Sequence, residues 1–275
     1  MENIALPQNI KFNKGESDNE AQITVEPCFP GYGITLGNSI RRVLLSSLPG
    51  AAPVGIVIEG VSHEFMTSPH LKEDILEFIL NVKQLRLKMH TDETVILNLD
   101  VHGKKRIKAS DIEPNPEVEI VNPDLELAVI TDMAGKMNAK IYVEKGMGYV
   151  TIESREEKQS IVNYIEMDAI FSPVVSVGAK IDNVRVGKMT NWEKLILNLK
   201  TDGTITPEEA FNSSVKILIK QFSALIPKES VKKEAIKDEN KDIEENKEEK
   251  EVKKGKAKKE EPKEKKKKRG RPKKS

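Results

Sequence analysis

An α+β body followed by a charged tail is the fold class this sequence predicts, and three observations carry it. Short segments in which apolar residues alternate with polar ones recur as far as Ile226, the signature of half-buried strands. Three longer segments show helical spacing with caps or breakers at their ends. Beyond Pro227 the apolar pattern stops, and Lys and Glu dominate.

Residues 22–25 alternate and read as a strand. The first helix covers about 35–48. Leu36, Ile40, Val43, Leu44 and Ser47 share one of its faces, while Arg41, Leu45 and Leu48 make another. Pro49-Gly50 stops it. Val54, Ile56 and Ile58 then alternate as a strand, and a second helix is expected over about 72–89. Val95, Leu97, Leu99 and Val101 alternate again. Segments 139–143 and 149–152 flank Glu144-Lys145-Gly146-Met147-Gly148, the pattern of a β-hairpin with a glycine-containing loop. Further strands fall at 180–186 and 195–200. The third helix is announced by Thr206-Pro207-Glu208-Glu209: a threonine N-cap, proline at the first helical position, and a Glu that closes a capping box. It runs to about Leu225 and Ile226 and is ended by Pro227.

Two of these helices carry more apolar surface than one neighbour can cover. Phe211, Val215, Leu218, Phe222 and Leu225 are spaced 4, 3, 4 and 3 apart, the heptad seam of two helices packed side by side. Ile217, Ile219 and Ile226 lie off that seam. A helix with apolar residues on more than one side needs more than one neighbour. Two arrangements satisfy the pattern: packing on the domain's own sheet, or packing on a second copy. The same choice arises for the first helix, where arginines beside leucines also suit a protein interface. Periodicity alone leaves both open.

Composition narrows the functional classes. Apolar residues make up 37% and aromatics only 4%, so the cores must be aliphatic. The single cysteine, Cys28, has no partner for an internal disulfide, and no Cys/His cluster has zinc-ligand spacing. Residues 1–12 lack the basic and apolar regions of a secretory signal, and no apolar run approaches the ~20 residues that span a bilayer. A soluble chain in a reducing, cytoplasmic compartment, with no membrane contact, is expected. His63, His70, His90 and His102 show no metal-binding arrangement. Gly31-x-Gly33 and Gly146-x-Gly148 lack the third glycine of a nucleotide fingerprint and read as turns. With no lysine phosphate loop and no aspartate triad for a two-metal centre, no catalytic residue and no cofactor is predicted.

Net charge divides the chain. The +1 total splits into 24 Lys/Arg against 31 Asp/Glu up to Pro227, and 21 against 13 beyond it. From Lys228 onward there is no Phe, Tyr, Trp, Leu or Met. Such a segment cannot bury enough apolar surface to offset its ordering entropy, so disorder over 228–275 is expected. The alternative is a solvated single helix over 229–251, where Glu/Lys pairs recur at i,i+4. The last stretch, from Lys253, holds 14 basic and 3 acidic residues and ends in Lys268-Arg269-Gly270-Arg271-Pro272-Lys273. A run like this binds phosphates in a salt-dependent way. Its Arg-Gly-Arg-Pro core resembles an AT-hook, in which glycine lets the backbone lie deep in a narrow minor groove and arginines follow its negative potential. The usual core has proline before the first arginine; Lys268 stands there instead. A solubilising or nonspecific polyelectrolyte tail is the competing reading.

The text of the first helix is more specific than its periodicity. Glu26-Pro27-Cys28-Phe29-Pro30-Gly31-Tyr32-Gly33-Ile34-Thr35-Leu36-Gly37-Asn38-Ser39-Ile40-Arg41-Arg42-Val43-Leu44-Leu45-Ser46-Ser47-Leu48-Pro49-Gly50 closely resembles the signature of the bacterial RNA polymerase alpha subunit family. Four further resemblances follow in order: Glu73-Asp74-Ile75-Leu76-Glu77 with Asn81-Val82-Lys83, Gly146-Met147-Gly148-Tyr149-Val150, Asp168-Ala169-Ile170-Phe171-Ser172-Pro173-Val174, and Thr201-Asp202-Gly203-Thr204-Ile205-Thr206-Pro207-Glu208-Glu209-Ala210. Together they cover about residues 5–226.

The resemblance implies a discontinuous dimerisation subdomain, 1–49 with 175–227, made of helices on an antiparallel sheet. A mostly β subdomain, 50–174, is inserted into it. It implies a non-catalytic homodimer that scaffolds the beta and beta-prime subunits of a nucleotidyltransferase, joined by omega and sigma in the holoenzyme. Leu36, Ile40, Val43 and Leu44, with Phe211, Val215, Leu218, Phe222 and Leu225, would form the dimer contact. Carried over by position, Arg42 and Leu45 would touch beta, and Lys83 and Met167 beta-prime. Met167 stands where a smaller aliphatic is expected, and Met147 where a basic residue is common. Family members usually carry a small helical DNA-binding domain after a linker; here the basic tail follows Pro227, and the resemblance leaves it to contact upstream DNA. The competing functional readings are a free-standing DNA-binding dimer of the AT-hook kind and an enzyme in its own right, for which no constellation exists.

Overall fold

Strand pairing brings the two ends of the body together. The structure, a computed structural model, describes residues 4–155 and 161–226. It opens on an antiparallel pair, β1 (Asn9–Lys14) and β2 (Glu20–Cys28), followed by helix α1 (Tyr32–Ser46) and β3 (Pro49–Ile58). Helix α2 (Ile75–Val82) leads into β4 (Leu87–Met89), β5 (Val95–His102), β6 (Lys105–Lys108), β7 (Val118–Ile120) and β8 (Glu126–Ile130). The long β9 (Lys136–Met147) precedes three short strands, β10 (Tyr149–Val150), β11 (Tyr164–Glu166) and β12 (Ala169–Ile170). A hairpin of two 13-residue strands, β13 (Val174–Val186) and β14 (Met189–Thr201), turns at Gly187, whose φ of 62° favours glycine. Helix α3 (Pro207–Ala224) closes the described chain.

One antiparallel sheet has the order β1-β2-β14-β13, so residues near the N-terminus pair with residues far along the chain, from Cys28 with Glu193 to Glu20 with Lys200. The register places Ile23 opposite Leu197 and Val25 opposite Leu195. Their common face, with Leu199 and Val177, forms a core with Ile40, Leu44 and Leu48 of the α1 region and Ala210 and Phe211 of α3. A second core is built wholly from the middle of the chain, around Phe78 of α2 and the strict alternation of β5. Its sheet runs β5-β9-β3-β4-β7, with β11 on β3. The α+β class with mainly antiparallel pairing holds.

Several boundaries differ from the sequence expectations. Helix α1 starts three residues earlier and ends at Ser46, where the Ser47 N–H still reaches the Val43 carbonyl at 2.9 Å. Pro49-Gly50 opens a strand rather than a turn, a position proline tolerates. Gly50 is required there, because a Cβ would fall 1.8 Å from the Phe171 carbonyl oxygen. Helix α2 is far shorter than 72–89. Its front is held extended: the Lys72 N–H donates to the Val129 carbonyl, and the Glu73 carboxylate accepts from Val129 N–H at 2.7 Å. At its rear, Leu87–Met89 pairs with β7 and buries Leu87 and Met89, so tertiary pairing overrides helix propensity. The hairpin over 139–152 is not formed. β9 continues through Gly146 in register with β3 as far as Pro49↔Met147, and Tyr149–Val150 pairs with β12 instead. The third helix starts as expected: Thr206 N–H donates to Glu209 at 3.1 Å, and Glu209 N–H donates to the Thr206 hydroxyl at 3.3 Å. The Thr206 backbone N–H, then the Thr206 hydroxyl, hold the Glu209 carboxyl below its usual range.

Candidate functional site

Helix α1 is glued to the sheet by its small residues. Gly33, Gly37, Ile40 and Leu44 are buried, and a Cβ on Gly37 would stand 2.8 Å from Leu195 Cδ1. Its N-terminal turn has no side-chain cap of its own, since the capping position is Gly31, which has no side chain and sits in left-handed backbone at φ 85°. The Glu193 carboxylate of β14 supplies one, accepting from Gly31 N–H and Gly33 N–H at 2.8 Å each.

The buried set 33, 37, 40 and 44 has a twin one residue on: Ile34, Asn38, Arg41 and Leu45, all exposed. One residue is about 100° of helix, so this second ridge points away from the sheet. Arg42 is exposed on the next ridge. Thus Arg42 and Leu45, neighbours on the outward side, are available to a partner. Of the residues assigned to a dimer contact on this helix, Ile40 and Leu44 lie in the protomer's own core, and Leu36 and Val43 are half-buried. The intramolecular alternative accounts for Ile40 and Leu44.

Along α3 burial fades from one end to the other. Pro207, Ala210, Phe211 and Ser214 are buried, and the Phe211 ring meets Phe12 of β1 edge-on at 5.8 Å. Val215 and Leu218 are half-buried. Then Ile219 and Phe222 are 58% exposed and Leu225 77%. A heptad seam that begins in the core therefore runs out into solvent as bare apolar side chains.

The third location joins Lys83 to the segment around Met167. Lys83 Nζ lies 3.8 Å from Asp168 Oδ2. Asp168 also accepts from the Ile152 N–H and the Tyr149 hydroxyl, both at 3.0 Å. The Ile152 N–H, then Tyr149, Lys83 and Arg155, hold its carboxyl below the usual carboxylate range despite the opposing effect of burial. Its hydrogen bond in turn raises the Tyr149 hydroxyl. Arg155 donates to the carbonyls of Val54 and Met167 at 2.8 and 2.7 Å, fixing the backbone on either side. Exposed Leu76 and Leu80 form a ridge on α2 leading to Lys83. Met167, expected from the resemblance to touch beta-prime, is 1% exposed and packs in the second core, and its N–H donates to the Val54 carbonyl at 2.9 Å. Asp168, the next residue, is partly exposed. The resemblance covered Asp168 without giving it a role, and no sequence signal marked Glu193; each matters through a contact distant in the chain.

Lys268, Arg269, Gly270, Arg271, Pro272 and Lys273, with the rest of the basic tail, lie outside the described residues. Among the described residues no group of three or more His, Cys, Asp or Glu side chains is arranged to hold a metal, and no helix is long and apolar enough to cross a membrane.

Comparison with known proteins fits this geometry. Residues 54–172 match the family described as the RNA polymerase Rpb3/RpoA insert domain. The DNA-directed RNA polymerase subunit alpha of Carboxydothermus hydrogenoformans is 45% identical over 210 residues, covering 76% of this chain and 67% of that one. The protein of the same name from Syntrophomonas wolfei is 45% identical over 250 residues, covering 86% and 79%. That of Symbiobacterium thermophilum is 43% identical over 233 residues, covering 84% and 74%. Identity at this level over about three quarters or more of the chain leaves one assignment: the chain belongs to the family of DNA-directed RNA polymerase alpha subunits.

Proposed function

We propose that two copies of this chain pair through α3 and the half-buried Leu36 and Val43 of α1, and that the dimer is the platform on which the beta and beta-prime subunits of the polymerase are assembled. In this reading residues 1–49 and 175–227 form the dimerisation subdomain, and 50–174 the inserted one. Nucleotidyl transfer then belongs to the other subunits, with this chain a structural member of the complex.

One observation carries the reading: Ile219 and Phe222 at the end of α3, with Leu225 and Ile226 just beyond it, are each at least half exposed. A contiguous apolar patch at that density marks an interaction surface. Obligate interfaces of this kind bury more than about 2,000 Å² and resemble a core cut in half. Two-fold symmetry presents every other patch twice, so one platform can take two different large subunits. Arg42 and Leu45 are assigned to beta, Arg42 because its guanidinium offers five fixed donors to carbonyls or carboxylates. Lys83 and Asp168 are assigned to beta-prime, with Met167 setting the backbone between them. The basic tail, ending in Arg269-Gly270-Arg271-Pro272, is assigned to upstream DNA, with A/T-rich minor grooves favoured.

Co-purification tests the reading. The full chain, expressed with both large subunits, should be recovered with them in a stable complex; recovery as a dimer with DNA alone would favour a free-standing DNA-binding protein instead. For the tail, the full chain should bind A/T-rich duplexes more tightly than G/C-rich ones, and a chain ending at Pro227 should lose that difference. Equal affinities would reject groove selection.

A further inference from the structure

We infer that Glu193 is a positioning residue for capture of the beta subunit: its carboxylate sets the rotation of α1 about its axis, and with it the place where Arg42 and Leu45 are presented. This rests on the reading of α1 given above.

Interlocking side chains ordinarily fix how a helix is turned on a sheet. In the N-terminal half of α1 that device is weak, because the buried positions there are Gly33 and Gly37 and only the half-buried Leu36 reaches the core. Close backbone approach replaces it, and glycine offers nothing to mesh. The two bonds from Gly31 and Gly33 to Glu193, one to each carboxylate oxygen at 2.8 Å, fix direction as well as distance. The approach leaves no slack, since a Cβ on Gly33 would lie 2.7 Å from Glu193 Oε2. The β2–β14 ladder is irregular between Glu193 and Leu195, and such irregularities re-aim a side chain. No acidic residue stands in the first turn of α1 to take over the role. A helix side chain ends about 5–6 Å from the axis, so a turn of about 20° moves Arg42 and Leu45 by about 2 Å. That is enough to break a hydrogen bond or unseat a leucine. Loosening the clamp lowers the fraction of molecules with α1 correctly set, and apparent affinity falls by that fraction.

The test uses the full chain and its purified beta subunit. Glu193→Gln places an amide N–H₂ or a single weaker acceptor against two backbone donors. Gly33→Ala displaces the carboxylate without altering it. Ile23→Val, in the fully buried sheet core away from the clamp, is the control for plain destabilisation. Affinity for beta is measured beside melting temperature and sedimentation. The expected result is roughly tenfold weaker binding, or more, for Glu193→Gln and Gly33→Ala with the dimer kept, and wild-type binding for Ile23→Val. Wild-type affinity in Glu193→Gln overturns the inference, as does an Ile23→Val variant that loses as much affinity at an equal melting shift. If the unmodified chain does not bind beta, the reading of α1 itself falls and the inference with it.

Discussion

Replacing Phe222 by Ala should dissociate the dimer while leaving the fold of each chain intact. Phe222 is 58% exposed. A phenylalanine buries about 150–250 Å², so about 100–150 Å² of this one remains in water on a single chain. Covering that area is worth about 3 kcal/mol at ~25 cal/mol per Å². Truncation to Ala gives up most of it, about 2–3 kcal/mol for each copy. A two-fold dimer uses the residue twice, which makes about 4–6 kcal/mol for the pair. At 1.4 kcal/mol per tenfold, the dissociation constant should rise by about three to four orders of magnitude. Sedimentation equilibrium from nanomolar to high micromolar concentration measures it, with circular dichroism to show that secondary structure persists. A dissociation constant within tenfold of the unmodified chain would refute the claim that the end of α3 is the dimer contact.

Four further outcomes are expected. Arg42→Ala and Leu45→Ala, at exposed positions, should each weaken binding of the beta subunit about tenfold or more in a pull-down titration, with dimerisation and melting temperature unchanged; loss of the dimer would give these residues a folding role. Lys83→Ala should cost less than about 1 kcal/mol in chemical denaturation, because its pair with Asp168 is partly exposed, yet reduce beta-prime retention. The carboxyl of Asp168 is held below its unfolded range, so its contribution is present above that range and lost as pH falls through the lowered folded value; Asp168→Asn should lower stability at neutral pH, change it little below the folded value, and so flatten the acid limb of the stability curve. Thr206→Ala removes one half of the capping box and should cost about 1 kcal/mol, read as a lower urea midpoint.

Legibility followed the range of the interactions. The start of α3 was readable because threonine, proline and Glu209 act within one turn. The alternation of β5 was readable because each inward residue meets the same core. β1 was missed: Asn-Ile-Lys-Phe-Asn-Lys is exposed at every position and is a strand only because β2 lies beside it. Helix α2 was over-extended because Leu87 and Met89 continue the apolar pattern while their backbone is claimed by β7. The 139–152 hairpin failed for a similar reason, since Gly146 faces Gly50 on a neighbouring strand rather than a turn. At the functional surfaces, sequence marked Arg42, Leu45, Lys83 and the α3 seam. It did not separate buried Ile40, Leu44 and Met167 from exposed residues on the same elements, because burial depends on which face meets the sheet. Glu193 and Asp168 act across 160 and 85 residues respectively, on Gly33 and Lys83, beyond the reach of local pattern.

Stoichiometry of stepwise assembly tests the central claim most directly. The full chain at micromolar concentration is analysed by sedimentation velocity, first alone, then with the beta subunit, then with beta-prime added. A dimer that takes up one beta and then one beta-prime is the predicted series. A stable monomer that leaves both large subunits free would contradict the account.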